Sequence, residues 1–169
     1  MRTIIPEPLT PEAFAPYGDV IEATAVAEMI RINEGNTVRF HDLMALDVAD
    51  GDGEPCISIF RSTPMPAPVT IKMMEYHPLG SQAFMPLGQS PYLVVVAKAG
   101  DFDAASIRVF LAEPGQGVNY HKGTWHHYCL ALNGESDFLV IDRKGAKDKE
   151  GDNCVEVVLG EKEQIALAL

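Results

Sequence analysis

Short stretches of alternating or wholly apolar residues, separated by turns rich in glycine and proline, recur along most of this 169-residue chain. Alternation places successive side chains on opposite faces of a strand, so the pattern predicts β-strands. The predicted strands are Cys56–Arg61, Val69–Met73, Tyr92–Ala97, Ile107–Leu111, Trp125–Leu132, Asp137–Ile141 and Val155–Leu159. Many short strands with almost no helix predict an all-β fold, either a sandwich or a barrel.

One short helix is predicted near the start of the chain. Thr10 can cap the first amide groups of a helix, Pro11 suits the first helical position, and Gly18 can end it. The length fits one domain with a real core, so we expect a single domain over residues 1–169.

The charge balance argues against nucleic-acid binding. There are 13 basic and 24 acidic residues, a net charge of −11, and a phosphate backbone would be repelled by such a surface. No apolar run approaches the roughly 20 residues that span a bilayer. The three cysteines are widely spaced and odd in number, which is typical of a reducing compartment. We therefore expect a cytoplasmic protein without membrane or nucleic-acid partners.

Two polar side chains follow the apolar face of one predicted strand. Counting by twos from Val69 through Ile71 and Met73, the same face reaches Glu75 and then His77. A buried glutamate is costly unless it is paired, protonated or bound to a cation, so this face predicts a polar pocket for a metal or substrate. The alternative is that the strand leaves the core after Met73 and both side chains are solvated.

The segment "GVNYHKGTWHH" (residues 117–127) contains three of the five histidines and the only tryptophan. Neighbouring residues of a strand face opposite ways, so only one of His126 and His127 can point into a given cavity. We choose His126, whose face also carries the larger apolar residues Tyr128, Leu130 and Leu132. Neutral imidazole is both a common metal ligand and a proton carrier near neutral pH.

These two segments resemble the paired motifs of the cupin superfamily. Glu75-x-His77 followed by Gln82 keeps the spacing of the first cupin motif with two residue types changed, and Gly123-x-x-His126 matches the end of the second. A closer resemblance is to the ureidoglycolate lyase family. It rests on "LTPEAFAPYGDVIE", "INEGNTVRFHDL", "MEYHPLGSQAFMPL", "GQGVNYHKGTWHH", "DFLVIDRKG" and "DNC", which occur in the same order over nearly the whole chain.

The resemblance implies a cupin-like barrel of the jelly-roll (double-stranded β-helix) type and a homodimer. It also implies cleavage of (S)-ureidoglycolate to glyoxylate and urea, a step of allantoin and purine degradation. A divalent metal, with nickel named for the family, is the implied cofactor. Tyr76 replaces an expected arginine, but its side chain points away from the face of Glu75 and His77, so we expect little effect on the chemistry.

Our hypothesis for the site is that Glu75, His77, Gln82 and His126 surround the metal, which would lower the pKa of the substrate hydroxyl. His121 could pass a proton to or from the substrate. Candidates for holding the substrate carboxylate are Arg39, Arg61 and Lys122, and Asn33 is the candidate for the ureido group. Together with Glu75 and His126, His121 forms the predicted catalytic set.

Two other functions remain open at this point. Two histidines and a glutamate could form the iron site of a non-haem oxygenase, and Gln82 does not exclude it. The pocket could also bind a small molecule without catalysis, as in a sensor, although sensors normally carry an output domain.

Overall fold

The computed structural model describes residues 2–24, 27–145 and 152–169, and nearly all of its regular structure is β. The strands in chain order are β1 (Arg2–Ile4), β2 (Glu7–Pro8), β3 (Gly18–Ile21), β4 (Glu28–Ile32), β5 (Thr37–His41), β6 (Glu54–Ser62), β7 (Thr70–Ile71), β8 (Met73–Tyr76), β9 (Gln82–Pro86), β10 (Tyr92–Ala97), β11 (Arg108–Ala112), β12 (Gly117–Tyr120), β13 (Trp125–His126), β14 (Leu130–Ala131), β15 (Ser136–Lys144), β16 (Val155–Val158) and β17 (Ile165–Leu167). The helical elements are α1 (Pro11–Phe14) and the 3-10 turns Asn33–Gly35 and Ala104–Ser106.

Two larger sheets face each other across a first core. One has the strand order β16-β8-β13-β10-β11-β2, with β14 also paired to β10, and the other has the order β3-β12-β9-β15-β6. Their facing side chains, together with Phe14 of α1, form a cluster that is rich in aromatic rings. This arrangement confirms the predicted all-β, cupin-like fold with a short N-terminal helix, although the sheets do not join into one closed barrel within the described residues.

Strand β10 is buried on both faces, which explains its uninterrupted apolar sequence. Val94 and Val96 point into the first core. Leu93 and Val95 point into a second core, which is completed by the small sheet β1-β17-β7. The site described below lies on the first-core side of this sheet.

The predicted helix begins where expected and ends early. The Thr10 side chain accepts a hydrogen bond from the backbone N–H of Ala13, and Pro11 occupies the first turn. The helix ends at Phe14, and Gly18 instead opens β3. Gly18 is required there because a Cβ atom at this position would lie 1.9 Å from the carbonyl oxygen of Asn119.

Replacing Gly18 with alanine is therefore expected to lower the free energy of unfolding by about 3 kcal/mol, since β3 must move away from β12. Urea denaturation followed by circular dichroism measures the change. Gly88→Ala is the matched control, because a Cβ at Gly88 meets nothing within 4 Å. Equal stability of the two variants would contradict the close approach at Gly18.

Two of the predicted strands are interrupted, and each interruption changes which face the side chains occupy. The stretch Val69–Met73 divides at Lys72, so Ile71 and Met74, rather than Ile71 and Met73, share the second core. Trp125–Leu132 divides into β13 and β14. The prediction that both stretches are continuous was wrong.

Among the described residues, no helix is long and apolar enough to cross a membrane.

Candidate metal centre

Glu75 and His126 lie opposite each other on paired strands. Glu75 is in β8 and His126 in β13, and the antiparallel register of these strands matches the two residues directly. His77 follows β8 immediately, and its ring centre lies 5.1 Å from that of His126. One donor atom from each of the three side chains lies within 4.8 Å of the other two. The structure thus brings the two separate histidine segments into one site.

Backbone hydrogen bonds fix the proton positions on both rings. The Nδ1 of His126 lies 3.0 Å from the carbonyl oxygen of Thr124, and the Nδ1 of His77 contacts the carbonyl oxygen of Asn153. A carbonyl only accepts, so each Nδ1 carries a hydrogen, and in the neutral form of either ring Nε2 has the free lone pair. Both Nε2 atoms are buried and have no hydrogen-bond partner among the residues that the structure describes. Buried polar atoms are rarely left in this state unless a ligand satisfies them.

Burial controls the charges of this site. It lowers the pKa of His126 to about 3, with a smaller contribution from nearby His77, so the His126 ring is neutral at neutral pH. Burial also raises the pKa of Glu75, while His77 and the Cys154 thiol act in the opposite direction. The 3.6 Å between His126 Nε2 and Glu75 Oε1 therefore joins two potential metal-donor atoms rather than a charged pair.

Three further side chains surround the cluster on the first-core side. The ring of Tyr120 stacks on His126, with centres 4.3 Å apart and planes at 10°. Gln82 is opposite Tyr120 in the β9–β12 ladder and is buried. Its Nε2 donates to Asp142 Oδ2 over 3.4 Å, and this hydrogen bond does not use the Gln82 amide oxygen. Burial raises the pKa of Asp142, although the Gln82 hydrogen bond and nearby His77 oppose the shift.

The loop before β16 closes the other side of the site. Asn153 receives the His77 Nδ1–H through its carbonyl, and its side-chain oxygen accepts from the backbone N–H of Leu79 over 2.8 Å. The Cys154 thiol donates to Glu75 Oε2 over 3.7 Å. Burial and the charges of Glu75 and Glu156 raise the pKa of this thiol to about 11. Glu75, Cys154 and Glu156 form a second group of potential donors that shares Glu75 with the first.

These residues fit a divalent cation. Two neutral imidazoles and one carboxylate are ligands that borderline transition metals prefer, and both free Nε2 atoms gain the partner they lack. Three protein ligands also leave coordination positions for a substrate. The residues that could hold the cation are Glu75, His77 and His126, with the Gln82 oxygen as a further neutral candidate.

The structure does not bring two of the predicted polar residues into this cluster. His121 is half exposed, and its Nε2 lies 3.1 Å from Asp19 Oδ2. Arg61 binds Asp137 through two hydrogen bonds of 2.7 and 2.8 Å. In the β6–β15 ladder, Arg61 is opposite Asp137 whereas Cys56 is opposite Asp142, so five residues, about 17 Å, separate Arg61 from the site.

The remaining predicted residues have different surroundings. Lys122 lies near the cluster in sequence, because the next residue, Gly123, donates its N–H to the His77 carbonyl. The ammonium group of Lys122, however, binds Asp47 and Asp50 over 3.0 and 2.7 Å. Arg39 and Asn33 lie on the hairpin formed by β4 and β5, which pairs with no other described strand. The Asn33 amide donates to Thr37 on the same hairpin.

His127 is as deeply buried as His126 but faces elsewhere. Its ring lies against Tyr128, with centres 3.8 Å apart, and its Nδ1 donates to the Tyr128 carbonyl. Burial lowers the pKa of His127 to about 4. Tyr76, the departure from the family pattern, packs edge-on against Trp125 in the second core, away from the cluster.

Sequence reasoning missed several residues of the site. Asp142 continues the inward alternation of Phe138 and Val140, the same kind of signal that singled out Glu75. Asn153 and Cys154 belong to the "DNC" phrase of the family resemblance, but nothing in their spacing indicates a contact with His77 or Glu75.

Comparison with known proteins shows the family to which the chain belongs. The sequence model described as "Ureidoglycolate lyase" matches residues 1–166. A ureidoglycolate lyase of Burkholderia mallei is 57% identical over 145 residues, covering 86% of this chain and 85% of the relative. Ureidoglycolate lyases of Pseudomonas syringae pv. tomato and Pseudomonas fluorescens are 49% and 47% identical, covering 99% of this chain and 96% and 98% of their own. The chain therefore belongs to the ureidoglycolate lyase family.

Proposed function

We propose that this chain is a ureidoglycolate lyase that cleaves (S)-ureidoglycolate to glyoxylate and urea. The observation that carries the proposal is the pair of buried Nε2 atoms of His77 and His126 beside Glu75, which have no hydrogen-bond partner within the described part of the chain, in a chain of this family. The family likeness also implies a homodimer.

The substrate bears a hydroxyl group and a urea nitrogen on one carbon, next to a carboxylate. Cleavage requires removal of the hydroxyl proton, rupture of the carbon–nitrogen bond and protonation of the departing nitrogen. No covalent nucleophile and no added water are needed. A site with a cation, a proton carrier and shielding from water is therefore sufficient.

Glu75, His77 and His126 would hold a divalent cation, for which nickel, implied by the family likeness, is the first candidate. Such a cation supplies Lewis acidity toward the hydroxyl and carboxylate oxygens of the substrate. The backbone bonds from Thr124 and Asn153 keep both imidazoles in the ligand tautomer, and burial keeps His126 unprotonated near neutral pH.

We assign the proton transfer to Asp142. Its contact with Gln82 and its nearness to His77 support this role, and a pKa raised by burial suits a carboxylate that takes up a proton and then releases it. The hydroxyl proton would pass to Asp142 and then to the departing urea nitrogen, so no net proton is consumed. The amide oxygen of Gln82, which the bond to Asp142 does not use, can accept a ureido N–H. Lys122, beside the His77 backbone, remains the candidate for contact with the substrate carboxylate.

The direct test is to add (S)-ureidoglycolate to purified protein and to follow glyoxylate, urea and ammonia in parallel. We expect equal amounts of glyoxylate and urea, with ammonia absent. Release of ammonia in place of urea would instead indicate an amidohydrolase. Metal analysis and oxygen consumption in the same preparation test the iron oxygenase alternative, because two histidines and one carboxylate also suit non-haem iron.

Removal of the metal is expected to abolish urea release and lower the melting temperature, since a cation that binds only the folded state stabilises it. Dialysis against a chelator followed by calorimetry and the urea assay measures both effects. Addition of nickel should restore both. Full activity in protein shown to contain no metal would contradict the proposed centre.

A further inference from the structure

The two oxygens of the Glu75 carboxylate face different groups of potential donors. Oε1 lies 3.6 Å from the Nε2 of His126, on the side of the proposed metal centre. Oε2 accepts a hydrogen bond from the Cys154 thiol over 3.7 Å. The cation proposed for the two histidines accounts for the Oε1 side, whereas the Oε2 side and the thiol have no part in that centre.

Strand pairing adds a second carboxylate to the Oε2 side. Glu156 of β16 lies directly opposite Glu75 of β8 in their antiparallel ladder, so both side chains project from the same face of the sheet. The donor atoms of Glu75, Cys154 and Glu156 all lie within 4.8 Å of one another. Like charges directly opposite each other destabilise paired strands, and a cation between the two carboxylates removes this repulsion.

A separate observation indicates that a ligand binds at the shared carboxylate. His126 is only 1% exposed, and its Nε2 has no hydrogen-bond partner within the described part of the chain. A cation that satisfies this atom also reaches Glu75 Oε1, while Oε2 still faces Cys154. A carboxylate placed in this way can bridge two cations, one on each oxygen. In two-metal enzymes the ions are commonly about 3.5–4 Å apart.

The donors on the Oε2 side determine which cation fits there. One sulfur and two carboxylates suit zinc and similar divalent transition metals better than magnesium or calcium, which prefer oxygen alone. Binding breaks the S–H bond of Cys154, releases its proton to solvent, and replaces the hydrogen bond to Glu75 with a sulfur–metal bond. Glu156 is exposed, so a cation can enter from solvent.

We propose that Glu75, Cys154 and Glu156 bind a second divalent cation of the zinc type, with Glu75 bridging it to the cation held by His77 and His126. The second cation fixes the orientation of the Glu75 carboxylate toward the first. The inference rests on the proposed metal centre, because the two positions share Glu75, but it does not depend on which reaction that centre supports.

Titration of metal-free protein with cobalt(II) tests the proposal. Cobalt(II) accepts the ligand types of zinc, and a thiolate bound to it gives a charge-transfer absorption in the near ultraviolet. For the wild type we expect two cobalt ions per chain and this absorption band. Cys154→Ser should bind one cobalt ion without the band, whereas His126→Ala should bind one and keep the band. Equilibrium dialysis followed by mass spectrometry counts the bound cobalt.

Two pairs of variants separate loss of a ligand from loss of folding. Cys129→Ser is the control for the thiol, because Cys129 packs against the first core and belongs to neither donor group described above, so it should keep two ions and the full band. Glu156→Gln alters an exposed side chain and should raise the dissociation constant of the thiolate-bound cobalt by about tenfold, with an unchanged circular dichroism spectrum. Glu161→Gln, exposed in the turn after β16, should have no such effect.

Three results would refute the second position: a wild type without the band, a band that persists in Cys154→Ser, or a single cobalt ion per wild-type chain. A single ion that does show the band would mean that Cys154 joins the histidines in one centre. Urea release is measured on the same wild-type samples. Two bound ions without urea release would refute the proposed reaction alone, and urea release with one bound ion would refute the second position alone.

Discussion

Replacing His126 with alanine is expected to lower kcat/KM for urea release by about a thousandfold, equivalent to about 4 kcal/mol of transition-state stabilisation. The physical reason is that His126 supplies one of the two buried Nε2 lone pairs next to Glu75. Without it, Glu75 and His77 retain too few donors to hold a cation firmly. Metal content by mass spectrometry and the rate of glyoxylate formation should fall together.

His127→Ala is the control for this prediction. His127 is adjacent in sequence and equally buried, yet its ring packs against Tyr128 and does not belong to the donor cluster. The control variant should lose comparable folding stability and keep its metal and its activity. If His126→Ala kept full metal content, or if both variants lost metal equally, the assignment of His126 as a ligand would be wrong.

The sequence predicted the fold well wherever a strand runs without interruption. Tyr92–Ala97 forms β10, and Cys56–Arg61 lies within the longer β6. In such segments the alternation of side chains survives from the first residue to the last. The hydrophobic pattern alone then determines which face is buried.

The interruptions could not be predicted, because contacts distant in sequence produce them. Between His126 and Leu130 the chain advances four residues while the paired strand β10 advances only three, from Val96 to Leu93. The extra residue is a bulge that reverses the alternation. Leu130 therefore packs in the second core and not beside His126. The argument that selected His126 from its apolar neighbours was thus wrong, although His126 does lie beside Glu75.

A similar shift occurs at Lys72. The carbonyl of Lys72 accepts from the backbone N–H of Leu159, and the alternation restarts in β8. Glu75 and His77 share a face as predicted, but it is the face opposite to that of Ile71. The spacing of Glu75 and His77 correctly predicted that they share a face. Which core that face points to depends on contacts with the C-terminal part of the chain, such as the bond from Leu159.

The surroundings of charged groups were the least predictable feature. Arg61 was a reasonable candidate for holding a carboxylate, but the β6–β15 register supplies Asp137 as its partner. Lys122 likewise meets Asp47 and Asp50, more than seventy positions earlier in the chain. These pairs depend on strand register, which the composition of either segment does not reveal.

Glu75→Gln is expected to reduce urea release by about a thousandfold while making the metal-free protein more stable. Glutamine keeps the shape of the side chain but removes the negative charge that attracts a cation. In the metal-free protein that charge destabilises the folded state, because burial disfavours the ionised carboxylate and raises the pKa of Glu75. We expect the metal-free variant to gain about 1 kcal/mol in free energy of unfolding at mildly alkaline pH.

The pH dependence of this gain follows from the direction of the pKa shift. Below the ordinary glutamate value of 4.5, Glu75 is protonated in both the folded and the unfolded chain, and the two proteins should be equally stable. As the pH rises, Glu75 ionises first in the unfolded wild type, because its pKa is higher in the folded state. The free energy of unfolding of the wild type therefore falls until the pH has passed this raised pKa. Chelator-treated samples unfolded in urea at several pH values measure the difference.

Glu113→Gln is the control, because Glu113 is exposed in a turn and its removal should alter neither activity nor this pH profile. If the stability difference between Glu75→Gln and wild type stayed constant across the pH range, the difference would not come from the buried charge of Glu75. If Glu75→Gln were more stable but released urea at the wild-type rate, the Glu75 carboxylate would have no role in the reaction. Two results together support the proposed role of Glu75: loss of activity in Glu75→Gln, and a gain in its free energy of unfolding that grows with pH. They would show that the buried carboxylate destabilises the metal-free fold and is needed for the reaction.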